Sequence, residues 1–204
     1  MLQAEKLTIS RGERVLATDL SFQVSSGEAL VAEGPNGSGK TTLLRTLATL
    51  SPPFSGAIYW QGHPVTDILE VYRSKVLFLG HNPAIKLDLT PVENLKVYMK
   101  LDGAVAEPMA ALERMGIRRY AATVCRHLSA GQLRRVALAR LILTAVPLWI
   151  LDEPFTALDR ETIDGLSSLL EDHLAKGGSA VITTHQRVSL GRQAAVSRLQ
   201  LGNG

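Results

Sequence analysis

The stretch Gly34-Pro35-Asn36-Gly37-Ser38-Gly39-Lys40-Thr41-Thr42 constrains this chain more than any other. It fits the phosphate-binding loop pattern, glycine, four residues, then Gly-Lys-Ser/Thr. The flanks fit as well. Ala29-Leu30-Val31-Ala32 is a short apolar run that reads as a buried strand, and Thr42-Leu43-Leu44-Arg45-Thr46-Leu47 reads as a helix. Glycines lack a Cβ, so backbone N–H groups can turn inward around an anion. The helix that follows aims the positive end of its dipole at the same place. Lys40 adds a charge for the β- and γ-phosphates, and Thr41 offers a hydroxyl to Mg²⁺. A glycine-rich turn entering a helix is the plainer reading. Strand, loop, lysine, hydroxyl and helix arriving together favour the other, and predict binding of a nucleoside triphosphate.

The elements around this loop alternate. Leu2 to Ile9, Leu20 to Val24 and Glu28 to Ala32 read as strands, separated by Arg11-Gly12-Glu13 and Ser25-Ser26-Gly27 turns. The helix after the loop stops before Ser51-Pro52-Pro53. Gly56 to Gly62 and Val76 to Leu79 read as further strands. From residue 91 to 145 the spacing turns helical, over Val92 to Leu101, Pro108 to Met115 and Ala130 to Leu143. Leu148 to Leu151 and Ala180 to Thr183 restore the apolar strand pattern, with an amphipathic helix from Arg160 to Lys176 between them. Arg192 to Gly204 fits one more short element and a tail. The expectation is an α/β fold with a mostly parallel sheet, in one domain over 1–204 with a helical insert at about 91–145.

With 46% hydrophobic and 20% charged residues, the 204-residue chain has ordinary globular composition. A net charge of +3 allows an anionic partner and does not choose among nucleotide, nucleic acid and anionic lipid. Cys125 is the lone cysteine and forms no internal disulfide, which fits a reducing compartment. No secretory leader is expected, because Glu5 and Lys6 interrupt the first ten residues. The longest apolar candidate for a membrane span, Leu141 to Leu151, is too short and contains Pro147. Any membrane work therefore falls to another chain.

Three further places carry chemistry. Leu148 to Leu151 delivers Asp152 and Glu153 to the carboxyl end of a strand, where ligands sit in open α/β sheets. Successive strand residues point to opposite sides, so the two acids can divide the work. Asp152 would hold Mg²⁺ and Glu153 would polarise an attacking water. Ser129-Ala130-Gly131-Gln132 opens the helix at 130. Ser129 and Gln132 match a capping box that satisfies orphan helix N–H groups, and the same helix start can bind a phosphate. His185 follows Val181-Ile182-Thr183-Thr184 at another strand end.

These residues, in this order, resemble the nucleotide-binding subunit of an ABC (ATP-binding cassette) transporter over nearly the whole chain. Gly34 to Thr41 resembles Walker A, and Leu128-Ser129-Ala130-Gly131-Gln132 the LSGGQ signature with Ala130 for its first glycine. Leu148 to Glu153 resembles Walker B with the catalytic glutamate, Ala157-Leu158-Asp159 the D-loop, and His185 the switch histidine. The resemblance implies a mixed sheet core with N-terminal antiparallel strands and a helical subdomain. It implies ATP and Mg²⁺ as ligands, with Lys40, Glu153 and His185 acting in hydrolysis. It also implies a head-to-tail homodimer, in which Ser129, Gly131 and Gln132 of one copy cap the nucleotide held by Lys40 of the other.

Two positions depart from the family pattern. Arg11 stands near the place of the usual adenine-stacking aromatic, where its guanidinium offers a stacking face. His81, or else Asn82, stands where a glutamine usually contacts Mg²⁺ and faces the membrane subunit.

A narrower similarity is to the haem exporter ATPases of bacterial cytochrome c maturation. It rests on Leu79 to Lys86, Leu89 to Leu95, Leu128 to Gln132 followed by Arg134 to Leu141, and Thr183-Thr184-His185-Gln186. That similarity implies a peripheral protein on the cytoplasmic face of the inner membrane, docked on integral membrane subunits. Its ATP hydrolysis would drive haem delivery or release of a haem-loaded periplasmic chaperone. The histidines (His63, His81, His127, His173, His185) show no ligand spacing, so the cassette itself is not expected to hold haem. The alternatives are a cassette of another transporter, a soluble ABC ATPase acting on nucleic acid or ribosomes, and a small-molecule kinase. The last has no use for Leu128 to Gln132. Nucleic acid is not expected as a partner, because Arg134, Arg135 and Arg140 fall at helical spacing beside apolar residues.

Overall fold

The computed structural model describes residues 1–102, 106–185 and 195–202. Its strands are β1 (Leu2–Arg11), β2 (Arg14–Val24), β3 (Glu28–Glu33), β4 (Ser55–Trp60), β5 (His63–Pro64), β6 (Val76–Leu79), β7 (Leu148–Asp152), β8 (Ser179–Thr183) and β9 (Ala195–Gln200). Its helices are α1 (Lys40–Leu47), α2 (Leu69–Arg73), α3 (Pro91–Asp102), α4 (Pro108–Arg114), α5 (Ala130–Leu138), α6 (Arg140–Leu143) and α7 (Arg160–Ala175). The described chain divides into two compact units. The first is Met1–Phe78, Val146–Pro154 and Glu171–Gly204, and the second is Leu79–Ala145 and Phe155–Leu170.

The first unit holds the strand-rich core. One sheet has the order β6-β7-β8-β3-β9, and β8 pairs in parallel with β7 and β3, as β3 does with β9. Every residue of β7 and β8 is buried, as a strand covered on both faces requires, and this is why both read as unbroken apolar runs. The second sheet, β2-β1-β4-β5, is antiparallel where β1 meets β2 and β4. The mostly parallel arrangement expected from the alternation therefore describes one of two sheets. In β2 the exposed and half-buried positions interleave, the mark of a strand with a wet face. Tyr72 on α2 is fully buried, and its hydroxyl donates to the Leu47 carbonyl at the end of α1 (2.7 Å). Burial pushes that phenol far up from its usual range. Its ring meets Trp60 edge to face at 5.8 Å. This contact fastens α2, which carries no sequence periodicity of its own, to the core.

Apart from the end of β6, the regular elements described in the second unit are helices. Thr90 and Glu93 form a capping box at the start of α3, with Pro91 in the first turn. Those bonds hold the Glu93 carboxyl below its ordinary value. The helix expected over Ala130 to Leu143 is two segments. The Ala139 N–H still bonds to Arg135, but Ile142 N–H reaches back only three residues to Ala139 (3.1 Å), so the last turn tightens. Of the expected C-terminal element, β9 is present, whereas residues 192–194, 203–204 and Gln186 lie outside the described residues.

Candidate functional site

In the first unit the loop between β3 and α1 folds around the ammonium of Lys40. Its Nζ donates to the carbonyls of Gly34 (2.7 Å) and Pro35 (3.0 Å), and the residue is nearly buried. Only glycine fits at 34. A Cβ there would stand 2.5 Å from the Leu201 carbonyl oxygen and 2.7 Å from Ser38 Oγ. Gly39 occupies the N-cap of α1 and supplies no side-chain bond, so the first N–H groups of that helix keep their donors for another partner. Ser38 Oγ is buried with no hydrogen-bond partner among the described residues. An orphaned hydroxyl and capless helix N–H groups around a buried cation suit a phosphate chain. Pro35, Asn36, Gly37 and Thr42 complete the same loop and helix start.

The sheet brings the acids to this loop. Asp152, at the end of β7, is 1% exposed, and a carboxylate that deep must be bonded. Its Oδ2 accepts from the Thr41 hydroxyl (2.9 Å), and its Oδ1 accepts from the Thr183 hydroxyl at the end of β8 (2.7 Å). Two residues 111 apart in sequence thus share a hydrogen bond, because β3, which leads through the loop into α1, and β7 belong to one sheet. A carboxylate and a hydroxyl side by side are the hard oxygen donors that Mg²⁺ takes. Among the described residues no cluster of three or more His, Cys, Asp or Glu side chains could hold a metal by itself.

Glu153 follows in a left-handed backbone conformation, φ 49°, uncommon for a residue with a side chain. Its N–H is fixed by Thr183, to the hydroxyl at 3.0 Å and the carbonyl at 3.1 Å. Its carboxylate meets His185 twice, Oε2 accepting from the His185 backbone N–H (3.3 Å) and Oε1 standing 3.3 Å from Nε2. The chain turns sharply after β7, and that turn aims the second acid away from the first. Thr183 escaped the sequence reading. It bonds both acids and is fully buried, and a hydroxyl two residues before His185 at an apolar strand's end was the available signal.

Arg11 ends β1, exposed, opposite Arg14 in the turn to β2. It belongs to the first unit with the loop and the acids. His81, Ser129, Gly131 and Gln132 belong to the second.

In the second unit the capping box at 129 is formed. Gln132 N–H donates to Ser129 Oγ (3.3 Å), and Gln132 Oε1 accepts from Ser129 N–H (2.8 Å). This uses a lone pair of the serine and leaves its O–H as a donor, so capping and phosphate binding are compatible. Ala130 is exposed, which explains why a methyl is tolerated there. At Gly131 a Cβ would stand 2.9 Å from the Ala157 carbonyl oxygen. Asp159 accepts from the hydroxyl and N–H of Thr162 at the start of α7, bonds that hold its carboxyl below the usual range, and it also pairs with Arg135. Asn82 spends its side chain on a local turn, Oδ1 accepting from Ala84 N–H (3.1 Å), whereas His81 is exposed with its ring unbonded among the described residues.

Comparison with known proteins gives one answer at every level. The ABC transporter family model matches residues 17–156. The chain is 47% identical over 189 residues to the cytochrome c biogenesis ATP-binding export protein CcmA of Nitrosococcus oceani, covering 93% of this chain and 88% of that one. It is 44% identical over 201 residues to CcmA of Escherichia coli, covering 98% and 96%. Among solved structures, an ATP-binding subunit of an ABC transporter superposes with a TM-score of 0.87 at 27% identity, over 100% of this chain and 87% of that one. A dimeric ATP-binding cassette in a post-hydrolysis state, bound to ADP and phosphate, gives 0.84 at 25% identity, over 100% and 97%. The family model takes in both the phosphate loop and the paired strand-end acids, and the relatives run nearly from end to end: the chain belongs to the ABC transporter family.

Proposed function

We propose that this chain is the ATP-hydrolysing cassette of an export complex in cytochrome c biogenesis. The bond between Thr41 and Asp152 carries the catalytic half of that reading, because it joins the phosphate loop to the strand-end acid. The near-half identity to CcmA proteins carries the pathway. Lys40 and the N–H groups of α1 bind the phosphate chain of ATP, and Arg11 flanks the base. Thr41 and Asp152 would hold Mg²⁺, which would neutralise charge on the phosphates, and His81 takes the place of the glutamine that faces the membrane subunit. Glu153 accepts a proton from the attacking water, while His185 orients that carboxylate and meets the γ-phosphate. Ser129, Gly131 and Gln132 of a second copy complete the site, so the whole chain works as one domain in a head-to-tail dimer.

No helix among the described residues is long and apolar enough to cross a membrane. The moving work is therefore assigned to integral membrane subunits, with this chain bound at the cytoplasmic face of the inner membrane. Haem, or a haem-loaded chaperone released on the far side, is the proposed object of that work. The test replaces the chromosomal copy with Glu153→Gln and stains membranes for covalently bound haem. Loss of the c-type cytochromes, with b-type haem unchanged, is expected. Normal c-type staining would move the chain to another transporter.

A further inference from the structure

We propose that Arg134 is a positioning residue that ties the backbone at Gly80 and His81 to the helix beginning at Ser129, so that His81 and the Ser129–Gln132 turn act as one piece. This rests on the role given to His81 above. Arg134 lies on α5, five residues after Ser129 and about 7 Å along the axis. It is 5% exposed, in a helix whose Val136, Ala137 and Leu138 are buried as well. A guanidinium there is costly unless its donors are bonded, and packing alone would be served better by an apolar residue. Its Nη1 donates to the carbonyls of Gly80 (2.9 Å) and His81 (3.4 Å).

Those carbonyls need a partner of this kind. From Gly80 to Thr90 the chain has neither helix nor strand, so no ladder satisfies its backbone. Backbone N–H groups of Arg126 and Cys125 serve the carbonyls of Leu87 and Leu89 (2.9 Å each), and side chains serve others along the segment. Tyr98 donates its hydroxyl to the Ala84 carbonyl (2.5 Å), with the Arg140 guanidinium stacked over its ring at 3.7 Å. Asn94, 1% exposed, accepts from Lys86 N–H (2.8 Å) and donates to the carbonyls of Lys86 (3.0 Å) and Thr90 (3.1 Å). Tyr98 and Asn94 hold the far part of the segment from α3. Arg134 alone of these side chains reaches its start, and it does so from the helix that carries the signature. The backbone of His81 is fixed while its exposed ring stays unbonded among the described residues, the arrangement of a side chain held ready for a partner.

The test uses the full chain with Arg134→Met and Arg134→Lys. Because Tyr98 and Asn94 keep their bonds, Arg134→Met is expected to fold. Amide exchange should quicken about tenfold or more over residues 79–84 and stay unchanged over α3. The kcat for ATP should fall about tenfold with KM within twofold, Arg134→Lys recovering part of it. In a His81→Ala background Arg134→Met should cost nothing further. Unchanged exchange at 79–84, exchange quickened evenly across the chain, or additive losses in the double variant would each overturn the proposal. Lys40→Ala serves as the control. If it abolishes turnover while the double variant is additive, only the role of Arg134 fails. If it leaves turnover intact, the ATPase reading fails and this inference with it.

Discussion

The two units solve the same problem, holding functional groups still, by different means. In the first, parallel strands place Asp152, Glu153, Thr183 and His185, and the sheet's backbone ladder supplies the rigidity. In the second, an irregular segment and a helix start are held by side chains such as Arg134, Asn94, Tyr98 and Arg135. A ladder tolerates many side chains and asks only for apolar ones. A side-chain brace depends on the individual residue, so single substitutions should spread damage differently in the two units.

Among residues that brace the acids of the first unit, Thr183→Val should do the most harm, and to activity more than to fold. It keeps the strand and the shape but removes the donor to Asp152 and one acceptor for Glu153 N–H. We expect kcat to fall about 100-fold, roughly 2.7 kcal/mol of transition-state stabilisation, beside a loss of stability of about 1 kcal/mol. Steady-state kinetics beside calorimetry would show it, and a large loss of stability with normal kcat would break the contrast. Asn94→Ala is the counterpart in the second unit. It strips a buried backbone brace and should cost about 2 kcal/mol in urea unfolding. Unaltered stability there would mean that the segment from Gly80 to Thr90 needs no side-chain support.

Gly131→Ala should cost about 1 kcal/mol. The gain in helix propensity offsets part of the clash with the Ala157 carbonyl. Ala130→Gly, on an exposed position, should lose only the propensity difference. A comparison of the two melting temperatures tests whether the second signature glycine is required by packing. The smallest effect is a pH dependence in the first unit. His173 stacks on Trp149 at 3.7 Å, and burial holds its imidazole below the usual value, against the opposing bond to the Ser179 carbonyl. The unfolded chain binds that proton at about pH 6.5, where the folded chain resists it. Stability should therefore decline as pH falls below about 6.5 toward the folded value. His173→Phe keeps a stacked ring and should flatten the slope in urea melts at pH 7.5 and 5.5.

The same contrast explains what the sequence revealed. Leu148 to Leu151 and Ala180 to Thr183 were legible because strands buried on both faces must be apolar throughout. The phosphate loop was legible because its glycines and lysine answer to one chemistry. The S-x-x-Q box was legible as a cap and is formed as one. By contrast, β5 and α2 are too short to show a period, and Tyr72 anchors α2 through a bond to Leu47 that no local pattern encodes. The break at Ala139 is a change from four-residue to three-residue bonding inside an unbroken apolar pattern. Thr183, Asn94 and Arg134 were missed because a buried polar residue looks like a surface one until its partners are known.

The most direct measurement is a single-turnover reaction of purified Glu153→Gln with ATP, following bound nucleotide and ADP in the same tube. The expected result is ATP held with an affinity near that of the wild type and ADP formation slowed about 1,000-fold or more. ADP appearing at the wild-type rate would contradict it, and would leave Glu153 and its pairing with His185 without a part in the chemistry.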